Sequence, residues 1–308
     1  MKALMTALLL LAVSLCCPAW EEETLPPEIA RDYVEADAVL DELPCDWREA
    51  VGNIFRPAVA SCRSAEEATL YIASHMTELT GVYYSTERRK PNMNALEALE
   101  EKKVSCTGQS VLLVCALRSV GIPARAVCVF TWNHVRGNHT WVEAWVHGGW
   151  KMIEFNEKDF NTPWVMESIG LLNPARPEQR VYAAAPASTK YLLYGGNPIY
   201  VEDVTERYTQ LAQEWYAKAK LPPGHKRLMV DVQPRPKQPL TLILEAEDGK
   251  PLATAPSPTV RDDLRQFAAF NLPEKGRYYL RFQGREKRDA VQATSQPAVV
   301  MRLANHAE

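Results

Sequence analysis

A long apolar run from Thr107 to Val120, followed at once by three stretches rich in β-branched and aromatic residues, constrains this chain most. The run has a helical pattern and is stopped by Gly121 and Pro123. ARAVCVFTW, NHTWVEAWV and WKMIEF, beginning at Ala124, Asn138 and Trp150, read as strands. A helix feeding neighbouring strands predicts an α+β core. Upstream, residues 20–100 read as helices: PPEIARDYVEADAVLDEL and SAEEATLYIASHMTEL carry apolar residues at three- and four-residue spacing. Ser64 with Glu67, and Asn94 with Glu97, have the spacing of N-terminal caps. Glu87 to Asn92 is a polar connection, and Ile199 to Leu221 reads as one more amphipathic helix.

Leu221-Pro222-Pro223-Gly224 marks a boundary. Beyond it RLMVDV, LTLILEA, RQFAAF, RYYLRF and AVVMRL alternate with turn signals, which predicts a small β-sandwich over residues 225–308. That segment holds 14 Lys and Arg against 10 Asp and Glu, an ordinary solvated surface. Over all 308 residues the net charge is −3, which gives no broad basic field and argues against nucleic acid as a partner. The expected organisation is 1–19 as a leader, 20–195 as the core with its N-terminal helices, 196–224 as helix and linker, and 225–308 as the sandwich.

MKALMTALLLLAVSLCCPA, residues 1–19, has one Lys, a short apolar run and small residues before Trp20. That is the layout of a cleavable secretory signal. Export to the periplasm or the extracellular space is therefore expected. Leu15 sits where a lipoprotein signal wants a small residue, so free export is favoured over lipidation. No other stretch is apolar enough to cross a membrane, so no integral membrane segment is expected after removal of the leader. Five cysteines then remain, Cys45, Cys62, Cys106, Cys115 and Cys128. Cys45 and Cys62 flank a short loop-rich stretch and are a candidate pair, while Cys115 and Cys128 read as buried apolar residues.

Cys106 stands directly before the apolar helix, where unpaired N–H groups and the positive end of the helix dipole favour a thiolate. Its own N–H is placed to help hold an oxyanion. Alternation puts His139, Trp141, Glu143 and Trp145 on one face of their strand. The next strand follows through a tight turn containing Gly148 and Gly149. With a His147-Gly148 turn, Trp145 faces Trp150 and Glu154 lies diagonally beside His139. With a Gly148-Gly149 turn, Glu154 faces Glu143 instead. Either register places Glu154 and Asn156 on the His139 face and Glu157 on the other. Arg125 reads as a structural ion-pair partner and Glu143 as a supporting polar residue.

Ser105-Cys106, the helix end Leu117 to Arg125, the strand Asn138 to Glu143, and Trp150 four residues before Glu154 together resemble the transglutaminase-like family of papain-type thiol enzymes. The resemblance spans about residues 64–165. It implies a transglutaminase-like, papain-like core, with a Cys-bearing helix packed on an antiparallel sheet, and Cys106 as nucleophile, His139 as general base and Glu154 as orienting acid. The family usually has Asp followed by Pro-Thr at that third position, where Glu154-Phe155-Asn156 stands here, and Asn156 is the alternative third member. Trp132-Asn133-His134 looks like the Trp-x-His segment of one subtype, which would put Trp132 and His134 in the substrate cleft; Gln109 and Trp141 are further candidates to line it. A thioester-forming hydrolase or acyltransferase acting on peptide or protein substrates, glycoproteins included, is the activity implied. No cofactor is expected. No metal site is expected either, since C-x-x-C and H-x-x-x-H spacings are absent. The competing reading is an exported binding or scaffold protein that keeps the fold without catalysis.

Overall fold

The computed structural model describes residues 25–133, 136–194, 197–219, 221–222, 224–262, 266–291 and 298–305. The leader expected over residues 1–19 lies outside them. At the centre is the helix Cys106–Ser119, of which every residue except Gln109 is buried. A helix this apolar on all sides has to be covered all round. One side is covered by the helices Arg48–Ala58 and Ala65–Ser74, through Val51, Phe55, Ala68 and Ile72. The other side meets Val142, Ala144 and Val146, the inward set of a strand read at period two.

Ahead of it two short strands, β1 (Tyr83–Tyr84) and β2 (Lys103–Val104), pair in parallel, and that strand, β4 (His139–Val146), belongs to a six-stranded sheet of order β5-β4-β3-β6-β8-β7. Its partners are β3 (Ala124–Val129), β5 (Gly149–Ile153), β6 (Val181–Ala184), β7 (Tyr191–Tyr194) and β8 (Asn197–Asp203), all paired antiparallel. The far face is covered by the helices Pro163–Ile169 and Thr205–Ala219, with Val165, Met166, Ile169, Tyr208 and Ala212 packed on Val127, Val129 and Trp141. His147 and Gly148 both have positive φ, 54° and 69°, so the hairpin turns there and pairs Trp145 with Trp150. The first of the two registers is the one observed.

Several expectations are corrected. Residues 26–43 form only a short helix, Pro27–Ala30, continued by one wide turn over Arg31–Glu35. The chain then runs irregularly, held by the buried Arg118 guanidinium, which donates to the carbonyls of Ala36 and Ala38 at 2.8 and 2.9 Å. The stretch between Cys45 and Cys62 is the Arg48–Ala58 helix rather than loop, and both thiols are free. Ser64 caps its helix by accepting from Glu67 N, but the Glu67 carboxylate turns to Arg63 N; Asn94 and Glu97 make the full reciprocal box. The helix expected over 199–221 begins only at Thr205: Ile199 and Val201 alternate into β8, so the six-stranded sheet runs past the boundary placed at 195/196.

The C-terminal strands form a four-stranded and a three-stranded sheet around Leu228, Val230, Val232, Leu242, Leu244, Phe270, Leu280 and Phe282. This body is joined to the first by an ion pair between Arg227 and the buried Glu167 at 2.5 Å. Leu171 packs against Met229 and Phe267 at the same junction.

Candidate active site

Ser105 sets where the central helix begins: its hydroxyl accepts from Gly108 N at 3.0 Å, which makes Cys106 the first helical residue. Gly108 is needed for close approach, since a Cβ there would lie 2.9 Å from the Val104 side chain. Two contacts fasten this helix end to β4. Thr107 and Thr140 share a hydroxyl hydrogen bond of 3.1 Å, and the Ser110 hydroxyl donates to Thr140 O at 2.9 Å. His139 is the neighbour of Thr140 on the opposite face, so the staple sets helix tip and imidazole in one fixed relation. Cys106, 7% exposed, and His139, 3% exposed, line the same cleft of about 280 Å³.

Glu154 follows the end of β5, is 8% exposed, and accepts a hydrogen bond at Oε1 from His139 Nε2. Three indoles surround the imidazole. Trp164, Trp141 and Trp132 lie 4.7, 5.8 and 6.5 Å from it, centroid to centroid. The apolar box leaves the ring few rotamers, and its low dielectric strengthens the attraction between Glu154 and an imidazolium. Behind it, Trp141 Nε1 donates to Tyr208 Oη at 2.7 Å and that hydroxyl donates to Glu143 at 2.8 Å. Glu143 is fully buried and also takes Arg125 Nε at 2.8 Å and Arg207. This agrees with the supporting parts expected of Arg125 and Glu143.

The other expected residues divide. Gln109 lines the cleft, as the one half-exposed residue of its helix. Trp141 reaches the cleft but is almost wholly buried, with its N–H committed to Tyr208. Trp132 does not line the cleft; it is packed behind His139 and Trp141 in the core, which corrects its assignment to the cleft. His134 lies outside the described residues. Asn156, the alternative third member, lines the same cleft as Glu154. Both ends of its amide are held by Thr77, with Oδ1 accepting from Thr77 N at 3.0 Å and Nδ2 donating to Thr77 Oγ1 at 2.7 Å. Glu157, assigned to the wrong face, lines the cleft, because strand alternation ends at Ile153 and Asn156 turns the chain with φ 66°. Trp164, Arg261, Asp262 and Gln266 line the cleft and were not anticipated. For Trp164 a signal existed: Pro163 at the first turn of its helix.

Burial, then the negative charges of Glu154, Asp159 and Asp262, push Glu157 from 4.5 up to about 7. The folded chain therefore keeps this proton through a range in which the unfolded chain has lost it, so stability falls as pH rises from about 4.5 through 7. Glu157→Gln is expected to raise the unfolding midpoint at pH 8 and leave it nearly unchanged at pH 4. Equal gains at both, by thermal melts, would contradict this assignment. Burial raises the thiols of Cys45 and Cys62, carries Cys128 up to about 12, and holds Cys115 well above its ordinary value. Cys106 is the one cleft-lining cysteine among the described residues. Among those residues no group of three or more His, Cys, Asp or Glu is arranged to hold a metal ion, and no helix is long and apolar enough to cross a membrane.

Residues 53–155 match a family model described as the transglutaminase-like superfamily. Curated proteins give no match to the chain. Among solved structures, the chain is similar to red sea bream transglutaminase at 13% identity and TM-score 0.41, over 83% of this chain and 61% of that one. It is similar to a candidate cysteine protease from Cytophaga hutchinsonii at 17% identity and TM-score 0.31, over 35% and 37%. A candidate protease from Parabacteroides distasonis matches at 13% identity and TM-score 0.32, over 63% and 32%. The alignments thus span less than two thirds of each of these chains.

Proposed function

From the premise that residues 53–155 are a transglutaminase-like superfamily domain, we propose that this chain is a thiol enzyme acting on amide bonds of peptides or proteins, glycoproteins included. The observation that carries this reading is the convergence of Cys106, His139 and Glu154 on one cleft, with the last two hydrogen-bonded. His139 takes the Cys106 proton, and the thiolate attacks the carbonyl carbon. The oxyanion that forms is met by the N–H groups of the helix tip. Glu154 stabilises the imidazolium, which hands its proton to the departing nitrogen as the C–N bond breaks. Ammonia or an amine leaves, and a thioester remains on Cys106. Water, deprotonated by His139, resolves it to a carboxylic acid; an amine in place of that water would make the same site an acyltransferase. The leader-like residues 1–19 support a place of action outside the cytoplasm.

The test is to incubate the chain with peptide and glycopeptide amides, with and without a primary amine, and to read products by mass spectrometry. Cleaved, deamidated or amine-linked products that vanish with Cys106→Ala are the expected result. Product formation that survives this replacement would overturn the reading.

A further inference from the structure

The cleft is not made by the transglutaminase-like domain alone. Arg261, Asp262 and Gln266 come from the C-terminal sandwich, between the strands Pro251–Pro256 and Ala268–Pro273, and line the same cavity as Cys106 and His139. Asp262 and Gln266 are each braced. Asp262 accepts from Thr259 N and Oγ1 at 2.6 and 2.8 Å, while the buried Arg235 guanidinium donates to Asp262 O and Gln266 O at 3.0 and 2.8 Å. The Arg261 N–H is held by Thr259 Oγ1 at 3.2 Å, and its guanidinium lies 5.4 Å from the centroid of the Tyr83 ring in the first body. Among the described residues it has no carboxylate partner within ion-pair distance.

The charges facing Arg261 decide what it can take. Of the cleft carboxylates, Glu154 is hydrogen-bonded to His139 and Asp262 to the amide and hydroxyl of Thr259, and neither makes an ion pair with Arg261. Arg261 is thus an exposed, oriented cation whose planar fork fits a carboxylate. We propose that the C-terminal sandwich completes the substrate cleft and that Arg261 is a specificity-determining residue that takes a carboxylate borne by the acyl part of the substrate, close to the attacked carbonyl. This rests on the thiol-enzyme reading above.

The probes are acetyl-dipeptide chloromethyl ketones with Glu, Gln or Lys at either of the two positions, reacted with the full chain at pH 6.5. The rate of Cys106 alkylation by each is divided by the rate with iodoacetamide, a reagent too small to reach the sandwich. The Glu probes are expected to react about tenfold faster than the Lys probes, the worth of one charge-assisted contact. Arg261→Ala should abolish the preference and Arg261→Glu reverse it, each probe rate being divided by the same variant's own iodoacetamide rate. No Glu preference in the native chain, or one that survives in Arg261→Ala, overturns the proposal. Failure of Cys106 to react even with iodoacetamide would instead strike the thiol-enzyme reading, so the two failures are distinguishable.

Discussion

Replacing Cys106 by Ala is expected to lower turnover by about 10⁴-fold or more, since among the described residues no other group lining the cleft can form the thioester. The fold should survive. Ser105 still caps the helix through Gly108, the Thr107–Thr140 and Ser110–Thr140 contacts do not involve the sulfur, and the space lost is one atom beside an open cleft. The measurement pairs product formation with a urea unfolding curve. Activity within tenfold of the native chain, with an unchanged unfolding curve, would remove Cys106 as the nucleophile.

Glu154→Gln is the second large effect, expected at about 10²- to 10⁴-fold in kcat by analogy with the orienting acids of other triads. Gln has nearly the same shape and can still bond to His139 Nε2, but it brings no negative charge to balance the imidazolium formed when Cys106 gives up its proton. Glu154→Asp separates charge from reach, because it keeps the carboxylate and withdraws it by one methylene. A Gln variant as active as the native chain would assign Glu154 a packing part only.

The sheet around the site was legible because its determinants are local. Period-two alternation named the face of His139, and the His147-Gly148 turn, with φ positive at both residues, chose between two registers that the residues alone left open. Glu157 was misplaced because alternation was carried four residues past the point where the strand ends. Ile199 to Asp203 passed for helix because apolar residues at 199, 201 and 204 suit either period in so short a stretch. Trp132 and Asn156 carry no local sign of their partners: the first is claimed by packing against Trp141 and Trp164, the second by Thr77, 79 positions earlier. The contribution of Arg261 depends on how two bodies meet, which no window of sequence encodes.

The central claim is that the Cys106 sulfur and the His139 imidazole act as one unit. Iodoacetamide alkylation at pH 6, followed residue by residue by peptide mass spectrometry, tests it most directly. The account predicts that Cys106 reacts well ahead of Cys45, Cys62, Cys115 and Cys128, and that His139→Ala brings it back to their pace. A Cys106 that is as slow as the buried thiols in the native chain, or one whose rate is indifferent to His139→Ala, would contradict it.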